Sequence, residues 1–146
     1  MNEASVKGGA LRAVSTSAFT GNRTSFTTNL AALGGAVSLD GTQFVSAGCV
    51  FSNNTATNTS GGAMAVVGSG YVIDTGSSFT LNTAVSEGGA VHLADTSVLE
   101  ATGTSFTTNA APVGGAISMQ TSTLTSSGCT FTQNSATGSI GGGGGC

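Results

Sequence analysis

The sequence predicts an all-β fold: a right-handed parallel β-helix, or solenoid, of about five three-stranded coils of 26–27 residues. Three observations predict it: Gly-Gly pairs at a fixed period, an FxxNxA motif in step with them, and short stretches of alternating apolar residues. The pairs begin at Gly8, Gly34, Gly61, Gly88, Gly114 and Gly141. Successive pairs are 26, 27, 27, 26 and 27 residues apart, so each pair marks the start of one coil.

The FxxNxA motif occurs once in each of five units. Its phenylalanines are Phe26, Phe51, Phe79, Phe106 and Phe131. Its asparagines are Asn29, Asn54, Asn82, Asn109 and Asn134, and its alanines are Ala31, Ala56, Ala84, Ala111 and Ala136. In stacked coils, equivalent residues lie above one another. We therefore expect the phenylalanines to point inward and stack, and the asparagines to form a hydrogen-bonded ladder at a turn.

Two further apolar columns complete the predicted strands. One lies seven residues before each motif phenylalanine: Phe19, Phe44, Val72, Leu99 and Leu124. The other follows each Gly-Gly pair as alternating residues, beginning with Leu11, Val37, Met64, Val91 and Ile117. Crossover chirality favours right-handed winding. We expect one β-helical repeat domain over residues 1–146, with coils starting near 8, 34, 61, 88 and 114 and a partial coil from 141.

Composition narrows the function classes. Only 6% of the 146 residues are charged and the net charge is −3, so the three basic residues cannot form a nucleic-acid-binding patch. No apolar run is long enough to span a bilayer. Three cysteines, Cys49, Cys129 and Cys146, fit neither a disulfide framework nor a zinc site, and no cofactor or metal is expected. Two interpretations of Cys146 stay open, a thiol for pairing between chains and part of a truncated sixth coil.

The repeat resembles that of the chlamydial polymorphic membrane proteins, whose signature is GGA[ILV] followed by FxxN. The matching segments are GGAV at 34–37, GGAV at 88–91, GGAI at 114–117 and the five FxxN sites. The resemblance covers essentially the whole chain. It implies a β-helical passenger region of a surface-exposed, autotransported adhesin, and hence an extracellular or cell-surface location with a host surface protein or glycan as partner.

Catalysis is the weakest of the function hypotheses. A polysaccharide-acting enzyme on a β-helix needs clustered carboxylates, and Asp74 with Glu100 is the only acid pair that the repeat brings to adjacent coils. His92 is expected to face outward without a serine, cysteine or second histidine as partner. We therefore predict a non-enzymatic protein, either an adhesin-type surface segment or a filament-forming structural one.

The residues that flank the motif phenylalanines form a candidate surface array. Alternation turns them outward, and nine of the ten are Ser or Thr. The nine are Ser25, Thr27, Ser52, Ser78, Thr80, Ser105, Thr107, Thr130 and Thr132, and the tenth is Val50. Flat hydroxyl arrays of this kind resemble the ice-binding face of solenoid antifreeze proteins, which makes ice binding the alternative function. Solvent-facing strands also favour Ser and Thr without any ligand.

Self-association is the remaining expectation. A parallel solenoid leaves unpaired N–H and C=O groups on its first and last coils. The N-terminal MNEASVK is too short and polar to form a covering helix, and SIGGGGGC continues the Gly-Gly pattern. We expect the chain to associate end to end or to continue into further coils of a longer parent protein.

Overall fold

The computed structural model describes residues 1–15 and 17–138, and these fold as a parallel β-solenoid of about five turns. The predicted fold class is confirmed. The described residues contain no helix, and therefore none that is long and apolar enough to cross a membrane. The predicted partial coil from residue 141, together with Cys146, lies outside the described residues.

The described part of the chain forms 21 strands. Strand β1 (Glu3–Lys7) precedes the first coil. Coil 1 contains β2 (Leu11–Val14), β3 (Ala18–Asn22), β4 (Ser25–Thr27) and β5 (Leu30–Leu33). Coil 2 contains β6 (Val37–Asp40), β7 (Gln43–Ala47), β8 (Val50–Ser52) and β9 (Thr55–Ala56). Coil 3 contains β10 (Met64–Val67), β11 (Tyr71–Thr75), β12 (Ser78–Thr80) and β13 (Thr83–Ala84). Coil 4 contains β14 (Val91–Leu93), β15 (Val98–Thr102), β16 (Ser105–Thr107) and β17 (Ala110–Ala111). Coil 5 contains β18 (Ile117–Met119), β19 (Thr123–Ser127), β20 (Thr130–Thr132) and β21 (Ser135–Ala136).

Equivalent strands of successive coils pair in parallel to form four sheets. Sheet A contains β1, β5, β9, β13, β17 and β21; sheet B contains β2, β6, β10, β14 and β18. Sheet C contains β3, β7, β11, β15 and β19; sheet D contains β4, β8, β12, β16 and β20. Each coil thus has four strands, and the prediction of three was wrong on this point. The strands of sheet A in coils 2–5 are two residues long, too short to show an alternating pattern.

Each of the five Gly-Gly pairs within residues 1–138 closes a corner in which neither residue has room for a side chain. Gly61 has a φ of 70°, and a Cβ there would lie 2.3 Å from the Met64 carbonyl oxygen. A Cβ on Gly62 would lie 2.1 Å from the Gly89 carbonyl oxygen and 2.5 Å from that of Thr83. Because the second glycine has no side chain, its backbone, which leads into sheet B, can contact the backbone of the sheet A strand directly.

The motif phenylalanines form the predicted stack along the solenoid axis. Successive ring centroids, from Phe26 through Phe51, Phe79 and Phe106 to Phe131, are 4.8, 4.4, 5.0 and 4.9 Å apart. The planes of adjacent rings differ by 13° at most, so each ring lies flat on the next. They pack in one core with inward residues of sheets B and C, among them Leu39 and Val72.

The asparagine ladder is also confirmed. The Asn82 backbone N–H and Nδ2 both donate to Asn109 Oδ1, each at 3.0 Å, and Nδ2 also donates to the Phe51 carbonyl oxygen at 2.9 Å. Asn82 Oδ1 in turn accepts from the backbone N–H and Nδ2 of Asn54, at 3.0 and 2.9 Å. Asn82 is fully buried, so these bonds satisfy an amide that water cannot reach.

We predict that Phe79→Ala destabilises the protein far more than Thr80→Ala. Phe79 is 2% exposed and lies between two stacked rings, so its truncation removes about 3 to 5 kcal/mol from the free energy of unfolding. Thr80 points the other way, and its replacement changes stability by no more than about 0.5 kcal/mol. Urea unfolding of both variants measures the difference. Equal shifts would refute the assigned alternation.

A second prediction concerns the residue before each ladder asparagine. Leu81 adopts a φ of 57° and is 47% exposed, and the equivalent residues in the other coils are Thr28, Asn53, Thr108 and Gln133, with φ of 53–54°. Leucine tolerates this left-handed conformation poorly, whereas asparagine adopts it readily. Leu81→Asn should therefore raise the free energy of unfolding by about 1 kcal/mol. The matched control is Thr80→Asn, next to it but without a positive φ, which should give no gain. A destabilised Leu81→Asn would contradict this account.

Candidate functional site

The predicted hydroxyl array lies on the outward side of sheet D in a single register. One column runs Ser25, Val50, Ser78, Ser105 and Thr130, and the other runs Thr27, Ser52, Thr80, Thr107 and Thr132. Every member is half-buried or exposed. We call this surface the hydroxyl face. Its residues are about 4.8 Å apart between coils and roughly 6.6 Å apart across a strand, from the geometry of parallel sheets.

The hydroxyl face is held from behind by the phenylalanine stack. Each of its three-residue strands has the form outward, inward, outward, and the inward residue is the motif phenylalanine. The asparagine ladder begins three residues after each phenylalanine and bonds every coil to its neighbours. Backbone and core thus fix the hydroxyl positions before any partner arrives, so little ordering entropy remains to oppose binding.

The two carboxylates considered for catalysis do not share a site. Asp74 points into the solenoid and is 1% exposed, and its carboxylate accepts hydrogen bonds from the Ser46 and Thr104 hydroxyls. Glu100 pairs in register with Ile73 and is exposed on the outer side of the same sheet. Residues one position apart on a strand face opposite sides, so this pair cannot act on one glycosidic bond.

His92 is the clearest error of the sequence prediction. It projects from the outer side of sheet B, yet it is only 7% exposed and has partners. Its Nδ1 lies 2.7 Å from Ser118 Oγ and 3.5 Å from a carboxylate oxygen of Glu87. The Ser118 hydroxyl and the Glu87 carboxylate thus both lie next to Nδ1 of the imidazole ring. A catalytic triad needs the nucleophile and the carboxylate on different nitrogens, so this cluster is not one.

The contact between His92 and Ser118 could have been predicted from the repeat period. Ser118 follows His92 by 26 residues, one repeat period, and the two are register partners in sheet B. The residues in register with His92 in coils 2, 3 and 5, Ser38, Ala65 and Ser118, are also buried, whereas Arg12 of coil 1 is exposed. This outward column is therefore buried in coils 2–5, so alternation alone could not predict exposure.

The cysteines behave as small core residues. Cys49 and Cys129 lie two residues before motif phenylalanines in coils 2 and 5, and both are free thiols. Cys49 is 1% exposed, and its backbone N–H donates to Ser77 Oγ at 3.0 Å. Among the described residues no cluster of His, Cys, Asp and Glu is arranged to hold a metal ion, and their surface shows no pocket.

Comparisons of the chain with protein-family models, with curated proteins and with solved structures found no match. The likeness to the chlamydial repeat therefore rests on the GGA[ILV] and FxxN motifs alone.

The His92 cluster predicts a pH dependence of stability. Burial lowers the pKa of His92 below its ordinary 6.5, an effect that the Glu87 and Asp95 carboxylates partly oppose. A histidine with a lowered pKa in the folded state binds its proton more readily when the chain is unfolded. The free energy of unfolding should therefore fall as the pH drops from above 6.5 through the folded pKa. In His92→Ser, position 92 carries the same residue as the equivalent positions 38 and 118. The melting temperature of this variant should depend less on pH, between about pH 7 and 5, than that of the parent protein. An unchanged slope would show that other groups cause it.

Proposed function

We propose that this chain is a non-enzymatic structural segment of an extracellular surface protein, and that its hydroxyl face makes adhesive contacts with an extended partner. The observation that supports the proposal most directly is the register of sheet D, which repeats the same donor and acceptor groups from coil to coil. Each hydroxyl contact is weak, but a partner with its own repeat engages several at once, and linked contacts add in free energy.

The use of the polar side chains supports a structural role. Asp74 and the ladder asparagines are committed to internal hydrogen bonds, and His92 is held by Ser118. A polysaccharide-acting enzyme would need to expose carboxylates, and Asp74 is buried. The proposal also includes stacking with further coils, from other copies or from a longer parent protein, because the strands of every sheet pair in parallel from coil to coil along the axis.

Ice binding is the second candidate, and one observation favours it: the hydroxyl face has two columns in register over a rigid aromatic stack. Val50 interrupts one column, and four of the nine hydroxyl residues on the face are serines, so the face lacks a uniform Thr-x-Thr pattern. We rank ice binding below adhesion for that reason.

A double variant of the hydroxyl face tests the proposal. In Thr80→Tyr/Thr107→Tyr, two bulky rings cover the centre of the face, so beads coated with the variant should attach less to a panel of immobilised polysaccharides and glycoproteins than beads coated with the parent protein. Thr83→Tyr, which changes an exposed residue of sheet A, is the matched control and should attach normally. Thermal hysteresis measured on the same samples should be absent.

Two outcomes would overturn the proposal. Equal attachment by the parent protein and the double variant would remove the hydroxyl face from the adhesive contact. Thermal hysteresis in the parent protein that disappears in a folded double variant would establish ice binding in its place.

A further inference from the structure

The outer side of sheet C carries a second surface feature, centred on the only tyrosine of the chain. Tyr71 in coil 3 lies in register between Gln43 of coil 2 and Val98 of coil 4. Ile73 follows Tyr71 by two residues on the same strand and lies in register between Val45 and Glu100. These six outward side chains from three coils occupy neighbouring positions, and we call them the Tyr71 patch.

The Tyr71 patch has an apolar middle and polar ends. Tyr71, Ile73, Val45 and Val98 are each half-buried, whereas Gln43 and Glu100 are exposed at opposite corners. The register of sheet C places Glu100 diagonally opposite Tyr71 on the adjacent strand. Hydrogen bonding to the Glu100 carboxylate is the main reason why the pKa of Tyr71 lies above its ordinary 10.0. An aromatic ring, a carboxylate and an amide are thus presented together on a flat sheet.

The charge of this surface limits what it can bind. Glu100 is the only charged residue within the five strands of sheet C that points outward, since the remaining outward residues are neutral. This carboxylate would repel an anionic ligand, and a cationic ligand would be attracted by one negative charge only. A neutral, polyhydroxylated ligand suits the patch better. Its hydroxyls can donate to the two carboxylate oxygens and exchange hydrogen bonds with the Gln43 amide.

We propose that the Tyr71 patch is a binding site for a neutral saccharide chain, with one sugar ring stacked on Tyr71 and its hydroxyls bonded to Glu100 and Gln43. Pyranose rings offer a flat face of C–H groups, which matches an aromatic ring on a flat sheet, and an extended chain needs no pocket. This inference rests on the proposed adhesive function and specifies the class of partner. It uses sheet C, whereas the adhesive contact proposed above uses sheet D.

Affinity electrophoresis tests the site. The full chain is run in native gels containing a soluble neutral polysaccharide, namely hydroxyethyl cellulose, laminarin or starch, and in gels containing anionic polygalacturonate. We expect retardation by at least one neutral polymer and none by polygalacturonate. Tyr71→Val, which copies Val98, should weaken the retardation about tenfold through loss of the stacked ring. Glu100→Gln tests the carboxylate without altering the core and should weaken it as well.

The controls separate this site from the hydroxyl face. Thr80→Tyr/Thr107→Tyr should still be retarded, because those residues lie on sheet D, and adding Tyr71→Val to this double variant should weaken its remaining retardation about tenfold. No retardation by any of the neutral polymers, retardation only by polygalacturonate, or unchanged retardation of both Tyr71→Val and Glu100→Gln would each overturn the saccharide site. If retardation is instead lost in the sheet D variant alone, the Tyr71 patch is not the site and the adhesive function stands.

Discussion

The buried asparagine ladder is the constraint on which the solenoid depends. An inner asparagine such as Asn82 donates from its backbone N–H and its side-chain amide to one neighbouring coil, and accepts twice from the other. Its second amide hydrogen satisfies the Phe51 carbonyl group. Aspartate lacks the amide donors and leucine lacks both functions. A buried partner left unpaired costs about 1 to 3 kcal/mol, so one substitution in the ladder affects two interfaces between coils.

The ladder also links the interior to the outer surface. The ladder aligns each coil with its neighbours at the turn that follows sheet D. The phenylalanines lie three residues before the asparagines, so their rings are aligned in the same way and stack in parallel. Since neighbouring strand residues face opposite sides, the hydroxyl columns follow the same register. Regularity on the surface is therefore a consequence of hydrogen bonding in the core, with or without a ligand.

Most of this architecture could be predicted from the sequence because its causes are periodic. The Gly-Gly corner, the phenylalanine stack and the asparagine ladder each depend on one residue type at one position, and such positions can be read off aligned repeats. Sheet A was not predicted because its two-residue strands, such as Thr55–Ala56, are too short to show an alternation of apolar and polar residues. Asp74 as a member of an acid pair was wrong for a different reason: alternation from Val72 places it inward, where the Ser46 and Thr104 hydroxyls bond its carboxylate. The burial of His92 belongs to an outward column of sheet B that is buried in coils 2–5, which no local pattern encodes.

The orientation of the hydrogen bonds has a mechanical consequence. In all four sheets the backbone bonds join one coil to the next, so they lie along the solenoid axis and none of them ties distant coils together. Tension applied through the chain peels an outermost coil while its neighbours keep their contacts. Each detached coil of 26–27 residues releases roughly 90 Å of extended chain. A solenoid built this way is expected to lengthen under load in nearly equal steps, because each coil yields before the next one is loaded.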